Sequence, residues 1–213
     1  RGLFVERLLR TWCGAAGVVV VEPGAAVSLQ IAPAAAGGLR LSDEQQALLA
    51  QVERVVLGHA RRPLVISADR GRGKSTVLGI AAARLLAQGV PRITVVGAHR
   101  AAVQTLFRHA LNSAVAAGGP PPAGDIAPRD CPLHGGLLCF RQPHECSAAS
   151  DEEPGVVFVD EAAAVPVAVL AYLLERSNRL VFASTVHGYE GSGRGFELRF
   201  RAIEEAAGSR EEL

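Results

Sequence analysis

Residues 63–88 place the tightest constraint on the fold. A short apolar run, 63–68, passes directly into Ala68-Asp69-Arg70-Gly71-Arg72-Gly73-Lys74-Ser75, and helical periodicity follows over 75–88. Strand, glycine-rich turn and helix, in that order, aim backbone N–H groups and a helix N-terminus at one point, which suits a phosphate. The basic residues sharpen this reading. Lys74 is the single lysine in a chain with 22 Lys+Arg; every other basic position is arginine. Arginine is a planar fork, whereas lysine is a slim point charge that threads between phosphate oxygens. A chance surface lysine in a Gly/Arg turn is the competing explanation, and the flanking strand and helix weigh against it. In a phosphate loop, Arg70, Gly71, Arg72, Gly73, Lys74, Ser75 and Thr76 would all bind nucleotide. Lys74 would reach the β/γ oxygens, and Ser75 would ligate Mg²⁺. The strict pattern wants glycine at Ala68, so the expression fails by one residue; Gly71 and Gly73 still supply the steric room.

The rest of the chain fits around that unit. Ser42 with Gln45 three residues on makes a capping box for a helix running to about residue 58. A strand at 93–96, a helix near 101–115, a Gly/Pro-rich loop at 118–128, a buried-type strand at 155–159, a helix at 165–176 and a strand at 180–184 follow. Strands alternating with helices make βαβ units, hence a parallel sheet covered on both faces. The expected class is α/β: a P-loop NTPase with a RecA-like sheet. Residues 1–40 contain a short helical pattern, a β-branched run at 17–22 and an Ala/Pro/Gly-rich stretch at 24–38, and read as the tail of a preceding domain. The ATPase-type module is expected over 41–201, with a charged C-terminal tail over 202–213.

A second motif, Val156-Val157-Phe158-Val159-Asp160-Glu161, ends an apolar strand in two acids at the carboxyl edge of the sheet, where ligands of open α/β folds bind. Asp160 would hold Mg²⁺, and Glu161 would orient or deprotonate the attacking water. Many strands end in acids at a turn; following a phosphate loop, the pair becomes informative. A third motif, Ser184-Thr185-Val186-His187-Gly188-Tyr189-Glu190-Gly191-Ser192-Gly193-Arg194-Gly195-Phe196, follows the next strand. Thr185 or Ser184 could sense a γ-phosphate, and Arg194 could swing towards transition-state charge. Taken alone, that segment reads as a solvated Gly-rich turn.

Composition excludes several classes. A net charge of +1 gives no global basic field, so any nucleic-acid contact would be a local arginine patch. Four cysteines without framework spacing, and no apolar run of membrane-spanning length, suggest a soluble, reducing, cytoplasmic setting without a membrane partner. The apolar run at 18–21 is too short for a signal peptide. The absence of methionine, with Arg1 leading, suggests an excised piece. Cys131, His134, Cys139, His144 and Cys146 cluster, but their spacings match no structural zinc pattern and read as ordinary strand and loop residues.

In this order, Arg-Gly-Arg-Gly-Lys-Ser, Val-Asp-Glu-Ala-Ala-Ala-Val-Pro and Gly-Tyr-Glu-Gly-Ser-Gly-Arg-Gly resemble the RNA-helicase-like module of the tRNA(Met) cytidine acetyltransferase family, which includes eukaryotic rRNA/tRNA cytidine acetyltransferases. The segments 160–166 and 188–195 are specific to it, and the resemblance covers roughly 41–200. It implies ATP use by this module and, in the parent enzyme, an acetyl-CoA-dependent domain that makes N4-acetylcytidine in RNA. It places Gln45 where the family has an adenine-reading glutamine, matches 71–80 to its ATP-binding stretch, and matches Arg194 to an ATP-contacting arginine. The acetyltransferase domain is expected after the 188–195 loop, so no acetyl-CoA site is assigned within these residues. The alternatives are a stand-alone RecD-like motor, which needs a second RecA-like domain, and a non-catalytic scaffold gated by nucleotide.

Overall fold

The computed structural model describes residues 40–58, 63–119, 128–146 and 155–185. The chain divides into two units, Arg1–Leu39 and Arg40–Leu213, and all of the described residues fall in the second. In chain order the elements are α1 (Asp43–Leu57), β1 (Leu64–Ala68), α2 (Lys74–Ala87), β2 (Arg92–Val96), α3 (Arg100–Ala116), β3 (Asp130–Leu133), β4 (Gly136–Arg141), β5 (Val156–Val159), α4 (Val167–Arg176) and β6 (Arg179–Thr185). The expected helices and strands in these segments are present.

Among the described residues six strands form one sheet, in the order β1-β6-β5-β2-β4-β3. All neighbours pair parallel except β3 and β4, which are antiparallel. The expected parallel sheet is present and carries one antiparallel strand, β3, at its end. The hairpin turns on His134 and Gly135, with φ of 51° and 81°. Two consecutive left-handed residues give the primed turn whose twist suits a two-residue hairpin. Pro132 sits in β3 opposite Leu137. The Phe140 N–H donates to the Arg129 carbonyl at 2.7 Å, so by alternation the Pro132–Leu137 pair is a non-bonded one. The proline nitrogen thus points away from β4, the arrangement an edge strand tolerates.

Side-chain alternation along the strands feeds two cores. Val156, Phe158, Val181 and Ala183 join Ile66, Ile93 and the apolar faces of α1, α2 and α3 on one side. Val157, Val159, Leu180 and Phe182 meet Leu170 and Leu173 of α4 on the other. Both faces of β5 are buried, so its four residues read as one continuous apolar run. Full burial of Phe158 or Phe182 contributes about 1.5–3 kcal/mol each, anchoring the strands that carry the site.

The contact between α2 and α3 rests on a glycine. A Cβ added at Gly79 of α2 would lie 2.3 Å from the Leu106 carbonyl oxygen of α3 and 3.1 Å from the Ala110 nitrogen. Backbone cannot yield as a flexible side chain does. Gly79→Ala is expected to destabilise the fold by about 1–3 kcal/mol despite alanine's better helix propensity. The denaturant midpoint of the purified variant measures this.

Candidate functional site

Strand order builds the site. Because β6 lies between β1 and β5, the carboxyl ends of three neighbouring parallel strands deliver the glycine loop, Thr185 and the two acids side by side. The register pairs Ala68 with Thr185 at the end of β1 and β6. Ala68 is a paired β residue, so it needs no glycine. The left-handed positions are Gly71 (φ 84°) and Gly73 (φ 83°), where glycine is present. The departure from the strict loop pattern therefore falls where a Cβ is harmless.

The two helix starts differ chemically. The N-cap Ser42 of α1 accepts from the Gln45 N–H at 3.3 Å, and the Ser42 N–H donates to Gln45 Oε1 at 3.1 Å. Asp43 and Glu44 add negative charge in its first turn. Replacing such a cap costs about 1 kcal/mol. By contrast, α2 starts at Gly73 with no side-chain cap and no acid in its first turn. The N–H groups of Lys74, Ser75 and Thr76 precede the first intrahelical donor, Val77, which bonds the Gly73 carbonyl at 2.9 Å. That terminus keeps its partial positive charge for an anion.

Lys74 closes the loop from inside. Its Nζ donates to the Ala68 carbonyl at 2.6 Å and to the Asp69 carbonyl at 3.1 Å, and the residue is only 8% exposed. Burial lowers its pKa, while Glu161, Asp160 and Asp69 pull it back up. Arg70 and Arg72 are exposed on the loop. Gln45 tethers it from outside: its Nε2 donates to the Arg72 carbonyl at 3.1 Å. A Cβ at Gly73 would come within 2.5 Å of that same Nε2. Both ends of the Gln45 amide are therefore held by protein groups. Beside it, a cavity of about 430 Å³ opens between α1 and β1, lined by Glu44, Gln45, Leu48, Val65, Ser67 and Asp69 among others.

Asp160 is 6% exposed, and its Oδ2 has no hydrogen-bond partner among the described residues. Burial pushes the carboxyl up; a hydrogen bond with Ser75 and the charge of Lys74 oppose this, while the Glu161 charge adds to it. An orphaned buried carboxylate oxygen beside a hydroxyl is an all-oxygen donor set of the kind a hard divalent cation takes. The residues Ser75 and Asp160 thus fit Mg²⁺. An acid whose folded pKa lies above its unfolded value favours folding while protonated, and that contribution is lost as pH rises through the raised value. Asp160→Asn is accordingly expected to stabilise the nucleotide-free protein at neutral pH by about 0.5–2 kcal/mol. Melting curves across the acid-to-neutral range measure it, and the variant's midpoint should vary less with pH.

Glu161 follows on left-handed backbone, φ 54° and ψ 58°. A non-glycine residue held there costs on the order of 1–3 kcal/mol. Thr185 meets it: Oγ1 donates to Glu161 Oε2 at 2.8 Å, and the Thr185 N–H donates to Oε1 at 3.3 Å. Ser184, the other candidate, does not share this position. Val181 and Ala183 face the α1–α2–α3 core and Leu180 and Phe182 the α4 core, so alternation turns Ser184 towards the α4 side, with its Oγ buried and unpartnered among the described residues.

The structure thus brings together Gln45, Arg72, Gly73, Lys74, Ser75, Asp160, Glu161 and Thr185. Arg194 lies outside the described residues, as do the tail expected at 202–213 and all but the last residue of the segment expected at 1–40. Sequence reasoning missed Glu44, Leu48 and Val65 as cavity walls; only the closeness of the capping box to the loop could have signalled them. Of the clustered cysteines, Cys131, Cys139 and Cys146 are free, and burial pushes the Cys139 and Cys146 thiols up to about 11.

Residues 65–211 match the helicase domain of RNA cytidine acetyltransferase NAT10/TcmA. The chain is 39% identical over 215 residues to tRNA(Met) cytidine acetyltransferase TmcA of Nitrosococcus halophilus, covering 95% of this chain and 28% of that protein. It is 41% identical over 159 residues to the TmcA of Vibrio cholerae, covering 75% of this chain and 21% of that protein. The chain therefore spans about a quarter of the length of these curated relatives. Among solved structures, the large terminase ATPase domain of Thermus phage P74-26 aligns at a TM-score of 0.40 and 17% identity, over 70% of this chain and 71% of that one. With a match over more than half its residues, the chain belongs to the RNA cytidine acetyltransferase NAT10/TcmA family and represents its helicase domain.

Proposed function

We propose that this module binds MgATP and hydrolyses it to ADP and phosphate, and that the whole protein couples the turnover to handling of an RNA acceptor, a tRNA by analogy with the relatives. The observation that carries the reading is the uncapped α2 terminus with Lys74, Asp160 and Glu161 converging on it. The loop N–H groups and Lys74 would take the phosphates, and the cavity beside Gln45 has the position and walls for base and ribose. Bound Mg²⁺, held by Ser75 and Asp160, would supply charge neutralisation of the phosphate oxygens. Glu161 would accept the proton of a water whose oxygen attacks the γ-phosphorus; the bond to the β,γ-bridging oxygen breaks and ADP leaves with the electron pair. Arg194, which the resemblance matches to an ATP-contacting arginine, would swing towards transition-state charge. A carboxylate positioned to act as a base is what a purely structural nucleotide site lacks reason to keep.

Acetyl-CoA would be used elsewhere in the parent enzyme, in an acetyltransferase domain beyond this module. Among the described residues no helix is long and apolar enough to cross a membrane. A cytoplasmic setting follows from the tRNA reading. The test is phosphate release from MgATP by the purified chain, with and without added tRNA. Hydrolysis that tRNA accelerates, and that salt suppresses as arginine–phosphate contacts are screened, is the expected result. A chain that binds no MgATP overturns the reading.

A further inference from the structure

We infer that Thr185 is a positioning residue that grips the Glu161 carboxylate by both oxygens, fixing the direction in which the base meets water. The inference rests on the ATPase reading for its consequence, and on geometry for its existence. Asp160 and Glu161 are consecutive, and in a continued strand they would face opposite sides of the sheet. The chain leaves the strand instead. The Asp160 N–H still donates to the Val96 carbonyl at 3.0 Å, closing the ladder, while Glu161 adopts the left-handed conformation and its carbonyl accepts from the Ala164 N–H at 2.9 Å. Both acids consequently act on Lys74, with Glu161 the stronger influence.

That turn aims the Glu161 side chain across to β6, the strand beside β5. There it meets two donors from one residue, the Thr185 amide and hydroxyl. A strained backbone persists only where its surroundings over-determine it, and this two-point contact is a restraint of that kind. An ionised carboxylate has about four lone-pair sites. Thr185 uses one on each oxygen, which leaves the remainder for water. Thr185 is 8% exposed, so its hydroxyl does not exchange this bond freely for solvent. A residue reading the γ-phosphate directly would offer its hydroxyl hydrogen to the ligand; here the hydrogen is committed to Glu161.

The experiment compares Thr185→Val, which keeps shape and loses the hydroxyl, with Thr185→Ser, which keeps it. Thr185→Val should lower kcat by about 10–100-fold, the effect of losing one hydrogen bond to a charged group, with the MgATP Kd within about twofold of the parent. Thr185→Ser should recover most of the loss. In a Glu161→Gln background, Thr185→Val should lower turnover no further and leave the preference for MgATP over MgADP unchanged. Undiminished hydrolysis by Thr185→Val overturns the inference, as does a reduced MgATP-over-MgADP preference in the Glu161→Gln background, which would mean direct phosphate sensing. A separate measurement distinguishes failure of the ATPase reading. In the nucleotide-free protein, Glu161→Gln should move the Thr185 amide proton upfield, because its charged acceptor is gone. That shift supports the grip even if the parent turns over no ATP, and an unmoved resonance overturns it.

Discussion

Lys74→Arg should weaken MgATP binding by about 100-fold or more, close to the loss from Lys74→Ala, although the charge is retained. A 100-fold loss corresponds to about 2.8 kcal/mol. The reason is shape. The Lys74 ammonium sits within the loop, 8% exposed, between two carbonyls at 2.6 and 3.1 Å. A guanidinium is a wider planar fork that cannot occupy that point or thread between phosphate oxygens. Titration calorimetry with MgATP measures the effect, and far-ultraviolet dichroism verifies that both variants fold. Parent-like binding by Lys74→Arg would show that the loop does not hold phosphate as argued.

Glu161→Gln should separate binding from turnover. The amide preserves size but cannot take a proton, so MgATP should bind while hydrolysis falls by about 10²–10⁴-fold. Asp160→Ala should act on the other quantity. It removes the carboxylate beside Ser75, so the strengthening of ATP binding by Mg²⁺ should shrink. Single-turnover phosphate release and binding titrations with and without Mg²⁺ measure the two effects. Equal, mild losses from both substitutions would contradict the division of labour.

Much of this arrangement was legible in the chain because its signals are local. The β1–loop–α2 unit needs only an apolar run, correctly spaced glycines and a helical period, all contiguous in sequence. The capping box at Ser42 and Gln45 is likewise a property of four neighbouring residues. What escaped is tertiary. Nothing in the sequence shows that the Gln45 amide reaches Arg72, because the contact depends on how α1 lies against the loop. The choice between Ser184 and Thr185 required the register of β6 against β1 and the face each side chain takes. The strand β3 was hidden by Pro132, a residue that argues against a strand unless the position is known to be an outer one. The helix α4 begins at Val167 rather than 165 because the 3₁₀ turn Ala162–Ala164 and Pro166 delay it.

Pro132 also bears on how this protein behaves in a crowded solution. An outermost strand normally offers a row of N–H donors that another chain can use as a template, the usual start of sheet-to-sheet aggregation. In β3 the outward-pointing position opposite Leu137 belongs to a residue that has no N–H. The strand is also only four residues long and carries the charged Asp130 at its start, paired to Arg141 at 2.9 Å. Among the described residues this short, donor-poor, charged border is a poor seed for a further strand. The hairpin that interrupts the parallel sheet thereby acts as its terminator, keeping β4 and the buried strands behind it from recruiting a neighbour.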